Sequence, residues 1–488
     1  MKNTYNHLLA LVLITGCFSL QAQTSADALR FSQYSPQGSA RFQSLAGAFG
    51  SLGGEPSGIH LNPGTLGEFR SNHFSFSLGS ASTTTNTKFF DNVAPETNSL
   101  GLTIGNFGFI FSSPITQSDW KYFSFGITYN RMLDFRSQYS IEGNTPINSV
   151  HDFANSALGL TPDQLNEYDP LYSDLAFATE VIVSDPNDPS KTSYVANDFS
   201  EDAVHYSDVQ SRGRLSETGF SGGANYKNKW FLGAEIGIPT IAYRVKTGFE
   251  EFSTDSTTQL ESYSFSNETR VNGSGFNFKI GAVYKVNQKV RVGLALHSPS
   301  YFTLRERSFS DMQSVFRDRI ITAGSEEFSY NYQLTTPGKL VASGSLVIGK
   351  AGFVSLNYVT YNPSLARFRN TDFFESDFHK ATNEEIRTVH KSVHNLAVGV
   401  EYRVSYLSFR GGWGLQTNPY KSEFIDNEKP TQFISGGLGI KNGNYYLDFG
   451  FSSQSLVQDY YISSYVPEPA SVAERKSTFQ FTLGYRFK

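Results

Sequence analysis

From residue 71 to the C-terminus, apolar side chains return on every second position in one segment after another. In Phe74-Ser75-Phe76-Ser77-Leu78 they take the even positions, and in Phe123-Ser124-Phe125-Gly126-Ile127-Thr128-Tyr129 the odd ones. Phe276, Phe278, Ile280, Ala282 and Tyr284 continue the pattern, as do Phe479, Phe481, Leu483, Tyr485 and Phe487. Alternation with period two predicts strands, each with one apolar and one polar face. About fourteen are expected, near 71–90, 99–113, 120–140, 207–226, 229–250, 262–286, 290–310, 326–349, 352–368, 386–403, 405–420, 431–441, 443–460 and 474–487. Short turns at Lys227-Asn228, Asn287-Gln288, Gly349-Lys350 and Lys441-Asn442-Gly443 alternate with longer polar links. In one strand the parity changes: Leu100, Leu102 and Ile104 are even, and Phe107, Phe109 and Phe111 are odd. A bulge or kink at Gly105-Asn106 accounts for the switch.

A single strand does not tell a soluble sandwich from a membrane barrel. The number of strands and the composition do. Phe, Tyr and Gly are abundant and Cys is nearly absent. Short turns at one rim and long loops at the other are barrel-like, and an even number of strands closing on itself leaves no edge in lipid. The fold expected is therefore an all-β transmembrane barrel of about fourteen antiparallel strands in a bacterial outer membrane.

The first residues read as a secretory leader: Lys2, the apolar run Leu8–Leu20, then Gln21-Ala22-Gln23, with cleavage expected after Gln23. Ile14-Thr15-Gly16-Cys17 also resembles a lipoprotein site, which would leave Cys17 lipidated; the apolar run continues through Leu20 and favours the later cut. With residues 1–23 removed no cysteine remains, which excludes disulfides and thiolate metal sites. The mild acidity argues against a nucleic-acid partner.

Residues 24–70 do not alternate. They are rich in Gly and small residues, with Leu29, Phe31, Phe42, Leu45, Phe49, Leu52, Ile59 and Leu61 interspersed. An apolar segment of this length is expected either inside the barrel or on a partner. Its side chains Leu29, Phe31, Phe42, Leu45, Phe49, Ile59 and Leu61 are candidate ligand contacts, since they offer a dry surface. In Gly58-Ile59-His60-Leu61-Asn62-Pro63-Gly64, Asn62 and Pro63 are expected to bend the chain into the first strand, with Pro63 at the inner wall.

Gly38-Ser39-Ala40-Arg41, Ala46-Gly47-Ala48-Phe49, Ser57-Gly58 and Asn62-Pro63 together resemble the N-terminal hatch of the long-chain fatty acid transporter family of outer-membrane barrels. Gly64 stands where that family usually has Ala. Leu296-His297-Ser298-Pro299 and Thr336-Pro337, both within strands, are further echoes, and the terminal alternating strand resembles the signal read by barrel assembly machinery. The resemblance implies a fourteen-stranded barrel plugged by a hatch (24–70, with Asn62, Pro63 and Gly64 as its motif). It implies hatch-gated passive uptake of hydrophobic small molecules, fatty acids or aromatic hydrocarbons, and an exit sideways through the barrel wall. The implied surroundings are outer-membrane lipid and lipopolysaccharide. No cofactor and no enzymatic chemistry are expected.

Other features carry weaker chemistry. Gly219-Phe220-Ser221-Gly222-Gly223 fits a hydrolase elbow, but that elbow needs a strand–turn–helix context and this run lies in an alternating strand. His60 is a lone histidine with two readings, a structural role, which is the commoner one, and contact with a ligand such as haem. Arg291, Arg403 and Arg410 are candidate carboxylate partners on polar faces. The acidic insert 144–208 is expected to be extracellular and partly helical at Ser149–Leu160 and Thr161–Tyr168. It reads as a solvated loop or a cap over the mouth, with Asp185, Asn187 and Asp188 as a weak divalent-cation candidate. The insert also motivates an alternative function, a barrel that does not transport and docks a secretion or surface-assembly complex.

Overall fold

The computed structural model describes residues 24–369, 376–425, 429–466 and 468–487. The expected leader 1–23, with Cys17, lies outside the described residues. Fourteen strands follow in chain order: β1 His73–Phe89, β2 Thr97–Pro114, β3 Trp120–Asp134 continued by Ser137–Thr145, β4 Ala203–Tyr226, β5 Trp230–Ser253, β6 Leu260–Lys285, β7 Val290–His297 continued by Ser300–Phe316, β8 Phe328–Thr336 continued by Lys339–Ile348, β9 Gly352–Tyr361, β10 Val393–Val404, β11 Leu407–Gln416, β12 Thr431–Asn442, β13 Tyr445–Tyr460 and β14 Ala470–Arg486. Each pairs antiparallel with the next. β14 returns to β1 from His73↔Arg486 to Lys88↔Ser471, so the barrel is closed.

The faces resolve what alternation left open. Leu102 is 79% exposed and Phe276 61%, while Glu235, Lys279 and Asp448 on the opposite faces are buried. The aromatic face thus points outward, as only a hydrocarbon surround allows. At the short-turn rim, outward aromatics pair across strands: Trp230 with Tyr284 at 4.3 Å, Tyr445 with Tyr485 at 4.7 Å and Trp120 with Tyr226 at 5.1 Å. Such rings sit at a membrane interface. Lys227 and Asn228 both have positive φ, which closes a tight hairpin compatible with strand twist.

The expected strand at 386–403 begins only at Val393, because Ser376–Val389 forms a helix. The parity switch at Gly105 is a bulge: Ser77 pairs with Asn106 and Leu78 with Ile104, so Gly105 is skipped. The ladder between β2 and β3 runs from Pro114↔Tyr122 to Asn106↔Asn130 and stops there. Beyond it β3 bends at Phe135 and continues on the luminal side of β1. There Thr83 Oγ1 donates to Arg136 O (2.9 Å), and Thr97 Oγ1 to Gln138 O (2.6 Å). The upper half of β2 is left without a backbone partner on that side. We call this parting the seam.

Residues 24–70 pack against inward-facing side chains. They contain α1 Ser25–Ser32, α2 Ala40–Gln43, α3 Pro56–Leu61 and a 3₁₀ turn Pro63–Glu68. Thr24 and Asp27 close a capping box at α1. Glu55 caps α3, and Pro56 occupies its first position, where no N–H is needed. Asn62 Oδ1 accepts from Gly64 N at 2.9 Å, fixing the bend. The insert forms α4 Val150–Ala157, α5 Pro162–Tyr168 and α6 Ser173–Ala178, with a short hairpin of Ile182–Ser184 and Tyr194–Ala196. Its apolar side is spent on luminal faces at the mouth. Phe153 stacks on Tyr172 at 4.2 Å and meets Phe265 edge-on at 5.7 Å, while Ser149 N and Oγ donate to Glu251 on β5 (both 2.8 Å). Ser464, from the loop before β14, donates to Asp152. The insert is therefore a cap reaching across the mouth.

Candidate functional site

Inside the barrel the hatch has two parts. The arm, Thr24–Gln37, lies on an aromatic surface: Phe31 packs edge-on to Phe135 and Tyr243 at 5.7 and 6.1 Å. The body, Ser39–Phe69, is fastened by charge. Arg41 donates to Glu401 through Nε (2.8 Å) and Nη2 (3.1 Å), and Arg410 bridges Glu401 (2.7 Å) and Asp448 (2.6 Å). Arg403 donates to the same carboxylate at 2.7 Å. Glu68 pairs with Arg291. Arg291, Arg403 and Arg410, candidate carboxylate binders from sequence, are thus all engaged by the protein's own carboxylates.

A third fastening is the most buried. His60 Nδ1 lies 3.0 Å from Glu217 and 3.1 Å from Glu235, and its Nε2 lies 2.9 Å from Thr128 Oγ1. Lys279 bonds both carboxylates, at 2.8 Å to Glu235. Asn277 Nδ2 donates to Glu217 (2.6 Å), and Ser221 Oγ donates to Glu235 (2.8 Å). Burial opposes a charged imidazole, but Glu235 and Glu217 outweigh it and hold the His60 pKa above its ordinary value. Lys279 and the His60 ring thus both face the two carboxylates. His60, Glu217 and Glu235 present ligand atoms within 4.8 Å of one another, a donor set a metal ion could use. Lys279 already stands at the cation position between both carboxylates, so the set reads as an ion-pair cluster. Both ring nitrogens of His60 are engaged. Ser221 donates to a carboxylate and meets no imidazole, unlike a hydrolase nucleophile.

Between the arm and the wall lies a narrow cavity of about 70 Å³. Phe31, Tyr34, Phe42 and Leu61 line it from the hatch; Met132, Leu215, Pro239, Phe302 and Val359 line it from the wall. His60, Glu217, Lys279, His297 and Lys339 add polar atoms. Proline explains its height in the barrel. Pro239 on β5, Pro299 within β7 and Pro337 within β8 each lack a ladder N–H. The β5–β6 pairing skips two residues after Ser274↔Thr240, and β7 and β8 break at Ser298-Pro299 and Pro337-Gly338. The wall is irregular at one level, and the cavity sits there. His297 Nε2 lies 2.9 Å from Leu61 O. Lys339 donates to Gln33 O (3.2 Å) and faces the rings of Tyr361 and Tyr34 at 5.2 and 6.0 Å. No carboxylate among the described residues pairs with it.

Of the seven ligand candidates from sequence, Phe31, Phe42 and Leu61 line the cavity. Leu45 and Phe49 pack with Leu52 and Phe353, and Ile59 packs with Leu66, Phe69 and Ile110. Leu29 is buried in α1. The motif residues are structural: Asn62 Nδ2 donates to Gly50 O (2.6 Å) and Ala282 O (3.2 Å), and a Cβ at Gly64 would strike the Ala282 backbone. Pro63 is buried against the inner wall beneath Gly233. Sequence reasoning missed Tyr34, Met132, Phe302 and Lys339. Asp185 accepts from Asn187, and Asp188 accepts from Ser190, Thr192 and Ser193, so both carboxylates are used in turns.

No protein-family model and no curated protein matches the chain. Solved structures do. The structure is similar to a FadL homologue from Pseudomonas aeruginosa, with 13% identity, TM-score 0.56, and 93% of this chain and 100% of that one covered. It is similar to the toluene transporter TodX of P. putida, with 12% identity, TM-score 0.53, and 93% and 99% covered. The Ralstonia pickettii toluene transporter TbuX follows, with 16% identity, TM-score 0.51, and 93% and 100% covered. The likeness shows the fold that the chain has in common with these proteins, a closed antiparallel β-barrel.

Proposed function

We propose that this protein carries hydrophobic small molecules across a bacterial outer membrane by passive diffusion. The observation that carries the reading is the cavity, apolar in most of its lining and set between a lightly held arm and the wall of a closed barrel. A cavity of about 150 Å³ admits benzene, and this one encloses about 70 Å³. An occupant must therefore displace the arm. The neighbours' names, a FadL homologue and toluene transporters, accord with that chemistry. The hatch body is fastened by buried ion pairs, which favours a sideways exit at the seam over expulsion of the plug.

The test is uptake of labelled oleate and labelled toluene by cells whose outer membrane carries the wild type, a cavity-filling Leu215→Trp variant or no such protein. Wild-type cells are expected to take up at least one compound faster than empty cells. Leu215→Trp should abolish the gain while the barrel stays folded. Equal uptake in all three would remove the reading.

A further inference from the structure

The outward surface of β4 to β7 changes character at one height. On β5, Trp230, Leu232, Ile236 and Ile238 are exposed, and on β6 and β7 the apolar band ends at Phe276 and Tyr301, whose rings stack at 5.2 Å. From Trp230 to Thr240 a strand tilted by about 40° rises about 25 Å, the height of the apolar band of such barrels. Beyond it, towards the mouth, arginines cross the four strands side by side. Register places Arg212 opposite Arg244, Arg244 opposite Arg270, and Arg270 opposite Arg307. In the row nearer the band, Arg214 and Arg305 flank Ala242 and Asn272. All six arginines share the outward parity of Phe220, Ile236, Phe276 and Tyr301 on their strands. At the same tilt the two rows stand about 5 and about 10 Å above the band, the depth of a headgroup layer.

Like charges directly opposite one another destabilise a sheet, and the chain compensates these only in part. Glu268, one row higher, accepts from Arg244 Nη2 (2.5 Å) and Arg270 Nε (2.6 Å). Those two arginine side chains remain 53% and 39% exposed. Lys246 stands opposite Glu268 and adds another cation. Glu327 reaches Arg307 only at 3.8 Å. Arg305 donates to Ser329 Oγ at 3.1 Å. Arg212, Arg214 and Arg305 form no ion pair among the described residues. The sign reverses two rows above Arg212 and Arg307, at Asp208 and Asp311. The excess of positive charge is thus confined to the level next to the apolar band.

We propose that this arginine block is a docking surface for lipopolysaccharide, the phosphorylated glycolipid of the outer leaflet. The planar guanidinium fork matches a phosphate group bidentately. Phosphates held by the two rows leave the acyl chains of the same lipid lying along Ile236, Ile238 and Phe276. A soluble polyanion gains nothing from that apolar band, which is why the height of the block favours a lipid. The site lies outside the barrel, shares no residue with the cavity, and does not depend on the transport reading.

The experiment titrates the purified protein in detergent micelles with lipid A carrying two Kdo sugars, and reads the bound fraction by native mass spectrometry. Arg212→Gln, Arg214→Gln and Arg305→Gln are the variants, because their loss strands no carboxylate. Each arginine removed should weaken binding about fivefold, so that the double Arg212→Gln, Arg214→Gln variant loses roughly 25-fold and the triple variant roughly a hundredfold. The same lipid with its phosphates removed enzymatically should bind the wild type no better than the intact lipid binds the triple variant. Lys289→Gln, an exposed cation at the short-turn rim, should bind as the wild type does. Should the triple variant fail to fold, judged by heat-modifiable migration on gels, the single Arg212→Gln variant carries the test through its fivefold loss. Equal binding of the phosphorylated and dephosphorylated lipids would overturn the proposal, as would wild-type binding by the arginine variants or an equal loss in Lys289→Gln. Heparin bound as tightly as the lipid, with the same losses in the variants, would show a general polyanion surface and overturn the assignment to a lipid.

Discussion

The two parts of the hatch are adjacent in sequence and held by opposite physics. The body, Ser39–Phe69, is joined to the wall through Arg41–Glu401, Glu68–Arg291 and His60 with Glu217 and Glu235, all largely buried. The arm, Thr24–Gln37, rests on Phe135 and Tyr243, on one lysine contact and on a few hydrogen bonds such as Ser25 Oγ to Glu385. Breaking a buried ion pair by removing one partner leaves a charge without compensation. Sliding α1 over aromatic rings breaks the stacking of Arg30 on Tyr243 (4.6 Å), but Arg30 carries its partner Asp27 with it in the same helix, so no charge is left without a partner. The comparison teaches which part a ligand would displace at lower cost: the arm, whose contacts hold less buried charge than those of the body.

The largest expected effect comes from unfastening the body. Glu401→Ala leaves Arg41, Arg403 and Arg410 facing one another, two of them buried. Loss of one partner from such a network costs about 3–5 kcal/mol. Amide hydrogen exchange should show residues 39–49 losing most of their protection, with the arm affected less. Unchanged protection in the body would mean that packing, and not charge, holds it.

A smaller effect is expected at the corner of the plug. Gly64 stands where the resembling family usually has Ala, and the reason is a contact: a Cβ there would lie against Cα, C and N of Ala282. Gly64→Ala should therefore destabilise the corner by about 1–3 kcal/mol. Because the opposing atoms are backbone, Ala282→Gly should not rescue it. Rescue in the double variant, seen as recovered exchange protection at residues 62–66, would show that the clash is with the side chain instead.

The contrast between arm and body was only half legible in the sequence. Period-two alternation located the strands because one face of each meets lipid and the other the lumen. The parity switch at Gly105 located the bulge because one skipped residue exchanges the faces. Asn62-Pro63 located the corner through local hydrogen bonding. The cavity was not legible, since Tyr34, Met132, Lys279 and Lys339 come together only when the barrel closes. Nor were the ion pairs: Arg410 read as a candidate carboxylate partner, but Glu401, Asp448 and the hatch's Arg41 are brought to it only by the fold. The helix Ser376–Val389 was misread at its end, where Ile386 and Val389 continue into the apolar residues of β10 and imitate a strand.

The finest test separates arm from body directly. Lys339 is the wall cation that touches the arm, through Gln33 O and the ring of Tyr34, and Tyr361 faces it from the wall. A cation over an aromatic face is worth about 0.5–2 kcal/mol. Lys339→Met keeps the apolar stem and removes the charge. Exchange protection across residues 24–37 should then fall by between about twofold and thirtyfold, the range that those energies convert to. Protection across 39–69 should stay at the wild-type level, because no fastening of the body passes through Lys339. Equal losses in both regions would show that arm and body open as one unit, and the hatch would then have to be treated as a single plug.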